Sequence, residues 1–212
     1  MGRTSDADLR LKQAALDLMW EESYGAVTID DICQRADVKK GSFYYFFKSK
    51  AELAVAALEQ LWTESWKPNL DQAFSSSIEP LARFTGYFDT IYRTQLETKA
   101  KFGKVLGCPV CSVGSEVSTQ EVDVAGAVRA LMSRKLKYYE SAIRDAVAQG
   151  EIEPCDPAQE ALALLGLLEG LISQARIMND PEVLRRLPEM ALGLLRVKAK
   201  AAPKVPELAA QS

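Results

Sequence analysis

Histidine is absent from all 212 residues of the chain. That absence removes Ser-His-Asp and Cys-His nucleophilic devices and every histidine-ligated metal site. Cysteine is sparse: Cys33, Cys108, Cys111 and Cys155 cannot make a disulfide framework for a chain this size, which reads as a cytoplasmic protein with reduced thiols. Long hydrophobic runs are also lacking. The most apolar stretch, Ala161–Ile172, is interrupted by Glu169 and is too short to span a bilayer, and the opening MGRTSDADLR has no apolar segment of the signal-peptide kind. Neither sign of charge dominates: 26 Lys and Arg face 29 Asp and Glu, a net charge of -3, so affinity for a polyanion has to come from a local patch. Period-2 alternation, the mark of strands, is nearly missing.

What is present is an ordinary globular balance, 48% hydrophobic and 26% charged, with helical punctuation almost throughout. The expected fold class is all-α. Leu11, Ala14, Ala15, Leu18 and Met19 keep helical spacing over 6–23, and Gly25 can take the left-handed conformation that ends such a helix. Thr28 and Asp31 form a capping-box variant opening a short helix over 28–35, with Ile29, Ile32 and Ala36 facing one core. After the turn Ala36–Val38, a third short helix covers 39–46. Ser49 and Glu52 make a full capping box for a fourth, running through Leu53, Ala57, Leu61 and Trp62 until Lys67 and Pro68 stop it.

Two short helices separated by a three-residue turn make the helix-turn-helix arrangement, which sets its second helix in the DNA major groove. The segment KKGSFYYFFKSK then makes physical sense. Phe43, Phe46 and Phe47 face a small three-helix core, while Lys39, Lys40, Ser42, Tyr44 and Tyr45 face outward. Between Arg35 and Lys50 the basic residues are 35, 39, 40, 48 and 50, against the single acid Asp37. Lysines and tyrosine hydroxyls bond phosphates and position such a module, and few side chains remain to read base edges. The candidate DNA-binding residues are Thr28, Lys39, Lys40, Gly41, Ser42, Tyr44, Tyr45, Lys48 and Lys50.

Gly25, Thr28, Ile32, Ala36 and Val38, followed by KGSFYYFFKSKAEL, resemble the DNA-binding domain of the tetracycline-repressor (TetR) family, whose pattern is T-x-x-x-I-A-x-x-A-G-V-S-K-G-S/T-x-Y-x-x-F-x-S/N-K-x-x-L. The resemblance covers about residues 8–60. Cys33 stands where the family usually has alanine and Asp37 where it usually has glycine; both are mild, since cysteine is a small hydrophobe and aspartate tolerates a left-handed turn. The resemblance implies a homodimeric, non-enzymatic transcription regulator that binds a palindromic double-stranded operator and needs no cofactor or metal. It also implies a C-terminal helical domain that binds a small-molecule effector and carries the dimer interface. The implied domains are a helix-turn-helix domain over 1–50, an effector-binding and dimerisation domain over 51–197 and a disordered tail over 198–212.

Beyond the resemblance, Leu81, Phe84, Phe88, Ile91 and Tyr92 stripe a helix over 79–100, after a serine linker at 75–77. Val124, Val128, Leu131, Tyr138, Ala142 and Ala146 stripe one over 122–148 that stops at Gly150. Residues 158–178 are apolar nearly all round, as expected of a helix packed on its own core and on a partner, with Gly166 and Gly170 allowing close approach. Leu184, Leu187, Ala191 and Leu194 stripe the last helix; these two helices look like the family's four-helix dimer interface. Gly107–Glu116 resembles the GC-x-x-G-x-x-x-x-E segment of one group in the family, at the entrance to the effector cavity. Its Cys108-x-x-Cys111 unit has three readings: small side chains that let a turn pack, a thiol redox switch, or one end of a zinc site. A zinc site lacks further ligands here, and a Cys-x-x-Cys oxidoreductase lacks a βαβ context. Candidate effector residues are Trp62, Trp66, Phe88, Tyr92, Phe102, Cys108, Cys111, Glu116, Tyr138 and Gln174. Glu169 and Arg176, like Glu116 and Gln174, are polar groups near apolar helix faces that could bind a polar effector group or simply bond each other, and aromatics at helical spacing are more often plain core.

Overall fold

The computed structural model describes residues 6–117 and 119–198; the tail from 199 onward lies outside the described residues. Among these the regular structure is helical, with no strand. The helices are α1 (Ala7–Glu21), α2 (Ile29–Ala36), α3 (Lys40–Phe46), α4 (Lys50–Leu61), α5 (Lys67–Ala73), α6 (Pro80–Phe102), α7 (Pro109–Val117), α8 (Val122–Ala148), α9 (Pro157–Met178) and α10 (Leu187–Leu194). The chain divides into two compact units. One is Met1–Pro68 with Leu106–Ser133; the other is Asn69–Val105 with Arg134–Ser212.

In the first unit α1 packs on α2, α3, α4 and α7. Leu11, Ile32, Phe43, Leu53 and Leu58 are fully buried, so the apolar face of each short helix meets the others in one core. Phe47 joins it, whereas Phe46 is only half-buried, held edge-on to exposed Tyr45. The cap of α2 is as expected: the Thr28 hydroxyl accepts from Asp31 N–H at 3.2 Å, and the Asp31 carboxylate accepts from Thr28 N–H at 2.9 Å. The cap of α4 differs in one detail. Ser49 Oγ accepts from Glu52 N–H, but Glu52 reaches past the cap to Lys48 N–H at 2.7 Å.

Two expectations about chain breaks are corrected. Gly25 does not take a positive φ; a Cβ there would instead crowd a carboxylate described below. Pro68 does not stop the fourth helix, which continues through a π-helical turn at Trp62–Trp66 into α5. Lys67 N–H bonds back to Trp62 O, a wider turn that lets the helix accommodate a proline whose missing N–H and ring would break a regular one.

In the second unit, α6 packs on α10 and on the 3-10 turn Pro181–Leu184, which in turn meets α9. The last helix is thus preceded by a separate turn, with Asp180 capping it by accepting Glu182 N–H. The stripe of α6 is buried as expected except at half-buried Ile91. On α8 the buried tyrosine is Tyr139 rather than Tyr138, because the inward row runs Leu131, Lys135, Tyr139, Ala142 and Ala146. The lysine in that row disguises its register. Helix α9 meets the length and apolarity of a bilayer span, but it buries Ala161, Leu164, Leu165, Leu168, Ile172 and Ala175 within its own chain.

Candidate DNA-binding face and effector-domain core

The turn between α2 and α3 is set by Asp37, whose φ of 51° is left-handed, with Val38 N–H bonding back to Cys33 O at 2.9 Å. Arg10 donates to Ala36 O at 2.8 Å and so ties α1 to this turn. Beyond it, α3 offers Ser42, Tyr44 and Tyr45 to solvent; Tyr45 is 82% exposed, a large aromatic left outside a well-filled core.

The basic patch is more selective than its sequence count. Arg35 is held by Glu21 through a forked pair at 3.2 and 3.3 Å, and Lys40 by Asp30 at 2.8 Å. Lys50 turns inward: its ammonium donates to Tyr24 O at 2.8 Å and Val27 O at 2.9 Å and lies 4.2 Å from the Tyr24 ring centroid. Burial pushes the Lys50 pKa down. Lys39 and Lys48 remain exposed at either end of α3, without an ion-pair partner among the described residues. Gly41 is exposed beside them with open space where a Cβ would stand. Thr28, also at this face, is engaged in its cap.

Helix α7 is fastened to the same unit. Its Glu116 carboxylate accepts Tyr24 N–H at 2.9 Å and Gly25 N–H at 2.7 Å, while Trp20 Nε1–H donates to Gly107 O at 3.0 Å. A Cβ on residue 25 would sit 2.7 Å from Glu116 Oε1. Burial, with Glu121 nearby, pushes the Tyr24 phenol up to about 12. Cys108 is buried just before α7, and its Sγ accepts Cys111 N–H at 3.4 Å; neither cysteine is joined in a disulfide. Of the other candidates in this unit, Trp62 is buried and Trp66 half-buried.

In the second unit the candidates scatter. Tyr92 is buried with its hydroxyl on Glu182 at 2.7 Å, and Glu182 is held below its usual pKa by Arg185 and Tyr92. Phe102 is exposed at the end of α6 beneath Lys101, and Gln174 is exposed on α9. Tyr138 donates to Asp71 at 2.5 Å, and burial with that bond raises its pKa to about 12. Phe88 and Tyr138 border the aromatic cluster that forms the heart of this unit. Its centre is Tyr139, which stacks on Phe74 at 5.4 Å and meets Phe84 and Tyr87 edge-on. Against it lies Lys135, 3% exposed, its ammonium 3.5 Å from Glu169 Oε1 and about equally far from the Tyr87 and Tyr139 rings, 5.8 and 6.0 Å. The signal for this group was the i, i+4 row of α8 in which Lys135 and Tyr139 share the buried face.

A trihelical module with an exposed, lysine-flanked second helix, followed by a helical unit with a polar group in an aromatic core, defines a helix-turn-helix DNA-binding regulator. Residues 11–57 match the family model of bacterial regulatory proteins of the tetR family, and residues 80–190 match that of the tetracyclin repressor-like C-terminal domain. The transcriptional regulator AcuR of Cereibacter sphaeroides is 32% identical over 176 residues, covering 82% of this chain and 78% of the relative. The crystal structure of the regulatory protein TetR from Rhodobacter sphaeroides is 31% identical with a TM-score of 0.77, covering 88% of this chain and 97% of that one. The reduced form of NemR from E. coli shares the fold, with a TM-score of 0.78 at 22% identity, over 92% of this chain and 99% of that one. The chain belongs to the TetR family, as a ligand-responsive DNA-binding transcriptional regulator.

Proposed function

We propose that the protein is a cytoplasmic homodimeric repressor that binds a palindromic operator through residues 1–50 and leaves it when a small molecule fills the effector domain over 51–197. The observation that carries the DNA-binding half is the exposed edge of α3, where Ser42, Tyr44 and Tyr45 stand between the exposed Lys39 and Lys48. Lys39, Lys48 and Tyr44 contact phosphates, while Ser42 and Tyr45 reach base edges. Thr28 at the α2 N-terminus, Gly41 and Lys40 complete the face. Lys50 supports it from behind by holding the backbone at Tyr24 and Val27.

A ligand weakens DNA binding only through different affinity for two arrangements of the protein, and here those arrangements differ in the spacing of the two recognition helices. Selection from random duplexes is expected to return an inverted repeat with half-sites about one helical turn apart or somewhat more. Recovery of unrelated single sites would reject the dimeric reading. Lys39→Ala is expected to lower the slope of log K against log salt by about 1 per subunit without changing the selected sequence.

A second trigger has one observation in its favour, the Cys111 N–H to Cys108 Sγ contact that keeps the two thiols in one turn. Diamide should leave operator binding unchanged in wild type and in the Cys108→Ser, Cys111→Ser protein if the effector cavity is the sensor. Loss of binding in the wild type alone would make the thiols the sensor.

A further inference from the structure

Glu169 is the anomaly of the effector domain. Both of its carboxylate oxygens are buried, and neither closes a hydrogen bond within the chain. Its ion-pair partner, the Lys135 ammonium, stands 3.5 Å from Oε1 and is not aimed to donate to it. The fully buried Tyr139 hydroxyl likewise faces Tyr87 without a well-formed hydrogen bond. Each such buried polar atom costs stability, and a buried pair this loose does not repay its desolvation. Hydrophobic residues would serve the core better, so the group is kept for something that meets it.

The unmet need has a chemical direction. A carboxylate can take hydrogen bonds at about four lone-pair sites and gives none, so Glu169 calls for donors. Lys135 already balances its charge. An anionic ligand would be drawn to Lys135 only by approaching Glu169 as well, and a cationic one would meet the reverse penalty. Tyr139, kept protonated by burial, can donate to an acceptor. Rings pack against the group: Phe74, Phe84 and Phe88 around Tyr139, and Tyr87 beside Lys135.

We propose that Glu169, Tyr139 and Lys135 form the polar anchor of the effector site, and that its ligand is a small uncharged molecule with a flat apolar body whose head carries an N–H or O–H donor beside a carbonyl or hydroxyl acceptor. The donor bonds to Glu169, the acceptor takes the Tyr139 hydroxyl, and the body lies among the rings. The assignment rests on the effector-gated reading above and narrows it to a ligand class.

Near-isosteric probes separate the possibilities: benzamide, acetophenone and benzoate as an aromatic set, propionamide, butanone and propionate as a smaller one. Calorimetric titration of the full-length protein without DNA is expected to show at least one amide binding about tenfold tighter than its ketone and its carboxylate, a difference of about 1.4 kcal/mol. Glu169→Gln should bring that amide and its ketone within about threefold of each other. Tyr139→Phe, which keeps the ring packing, should weaken amide and ketone alike. Tightest binding by a carboxylate, binding by neither amide, or a preference that survives Glu169→Gln would each overturn the assignment. Operator release is measured separately with the same probes. An amide that binds as expected without releasing DNA leaves the ligand class standing and removes the gating, whereas release by a ketone that binds as well as its amide does the opposite.

Discussion

The carboxylate oxygens of Glu116 go to Tyr24 N–H and Gly25 N–H, and this side chain, held by both bonds, crowds the place of a Cβ on residue 25. Gly25 carries a negative φ, so conformational freedom is not what glycine supplies here. A methyl group there would stand 2.7 Å from Oε1, and the carboxylate would have to leave one of its donors. Gly25→Ala is therefore expected to destabilise the protein by about 1–3 kcal/mol, the cost of unpairing charge-assisted bonds. In a Glu116→Ala background the same change should be nearly neutral, because the obstructing atom is gone. The coupling in a double-mutant cycle, read from denaturant unfolding, checks this; additive effects would mean that Gly25 is required for another reason. The effector role expected of Glu116 came from the resemblance of its segment to one group of the family; the partners it meets here lie 92 and 91 residues earlier, beyond any local spacing. Glu169 stood out in sequence as a polar group near an apolar helix face, but its pairing with Lys135 did not, because an ion pair between different helices leaves no local spacing to read.

Among the helices, what was legible is what is decided locally. Thr28, Ser49 and the glycine after α8 mark ends that the structure places within a residue or two, since a cap is settled by neighbours three or four positions away. The π-helical turn before Pro68 was not legible, because a proline reads as a stop unless the preceding turn widens. The cap of α2 makes a pH prediction. Hydrogen bonds from the Thr28 hydroxyl and N–H hold the Asp31 carboxyl below its usual pKa. A group depressed in the folded state contributes stability that is present above its unfolded pKa and is lost as pH falls through the folded one. Wild-type stability should therefore decline through and below the ordinary carboxylate range, and Asp31→Asn should flatten part of that decline. Thr28→Ala should cost about 1 kcal/mol at neutral pH, with Thr28→Ser retaining most of the cap. An unchanged acid limb in Asp31→Asn would show that the box contributes nothing to the pH dependence.

At the scale of the whole molecule, the proposed dimer makes the most demanding prediction, because one protomer must leave apolar surface for the other. On α9, Leu162 is 55% and Ile177 77% exposed, and Gly166, Gly170 and Ser173 are exposed between them, a stripe at helical spacing along one face. On α10, Met190 is also exposed at 42%. A Cβ built on Gly166 or Gly170 meets nothing within 4 Å in its own chain, so the protomer itself has no packing reason for glycine at either position. A glycine inside a helix costs about 0.5–1 kcal/mol relative to alanine, which a protomer acting alone would have no reason to keep. The dimer supplies one, since a small residue on each copy lets two helix backbones approach across a two-fold axis, where the same patch meets itself. Gly170→Glu separates the cases. If the stripe is solvent-facing, the change should leave the sedimentation coefficient unaltered and slightly stabilise the fold. If it is the interface, two carboxylates are forced together near the axis, the protein sediments as a monomer at micromolar concentration, and far-ultraviolet circular dichroism still reports an intact helical protomer. Operator affinity should then fall steeply and the salt slope drop by about half, because one subunit's phosphate contacts release half the counterions. A Gly170→Glu protein that stays dimeric with full operator affinity would place the interface elsewhere on the molecule.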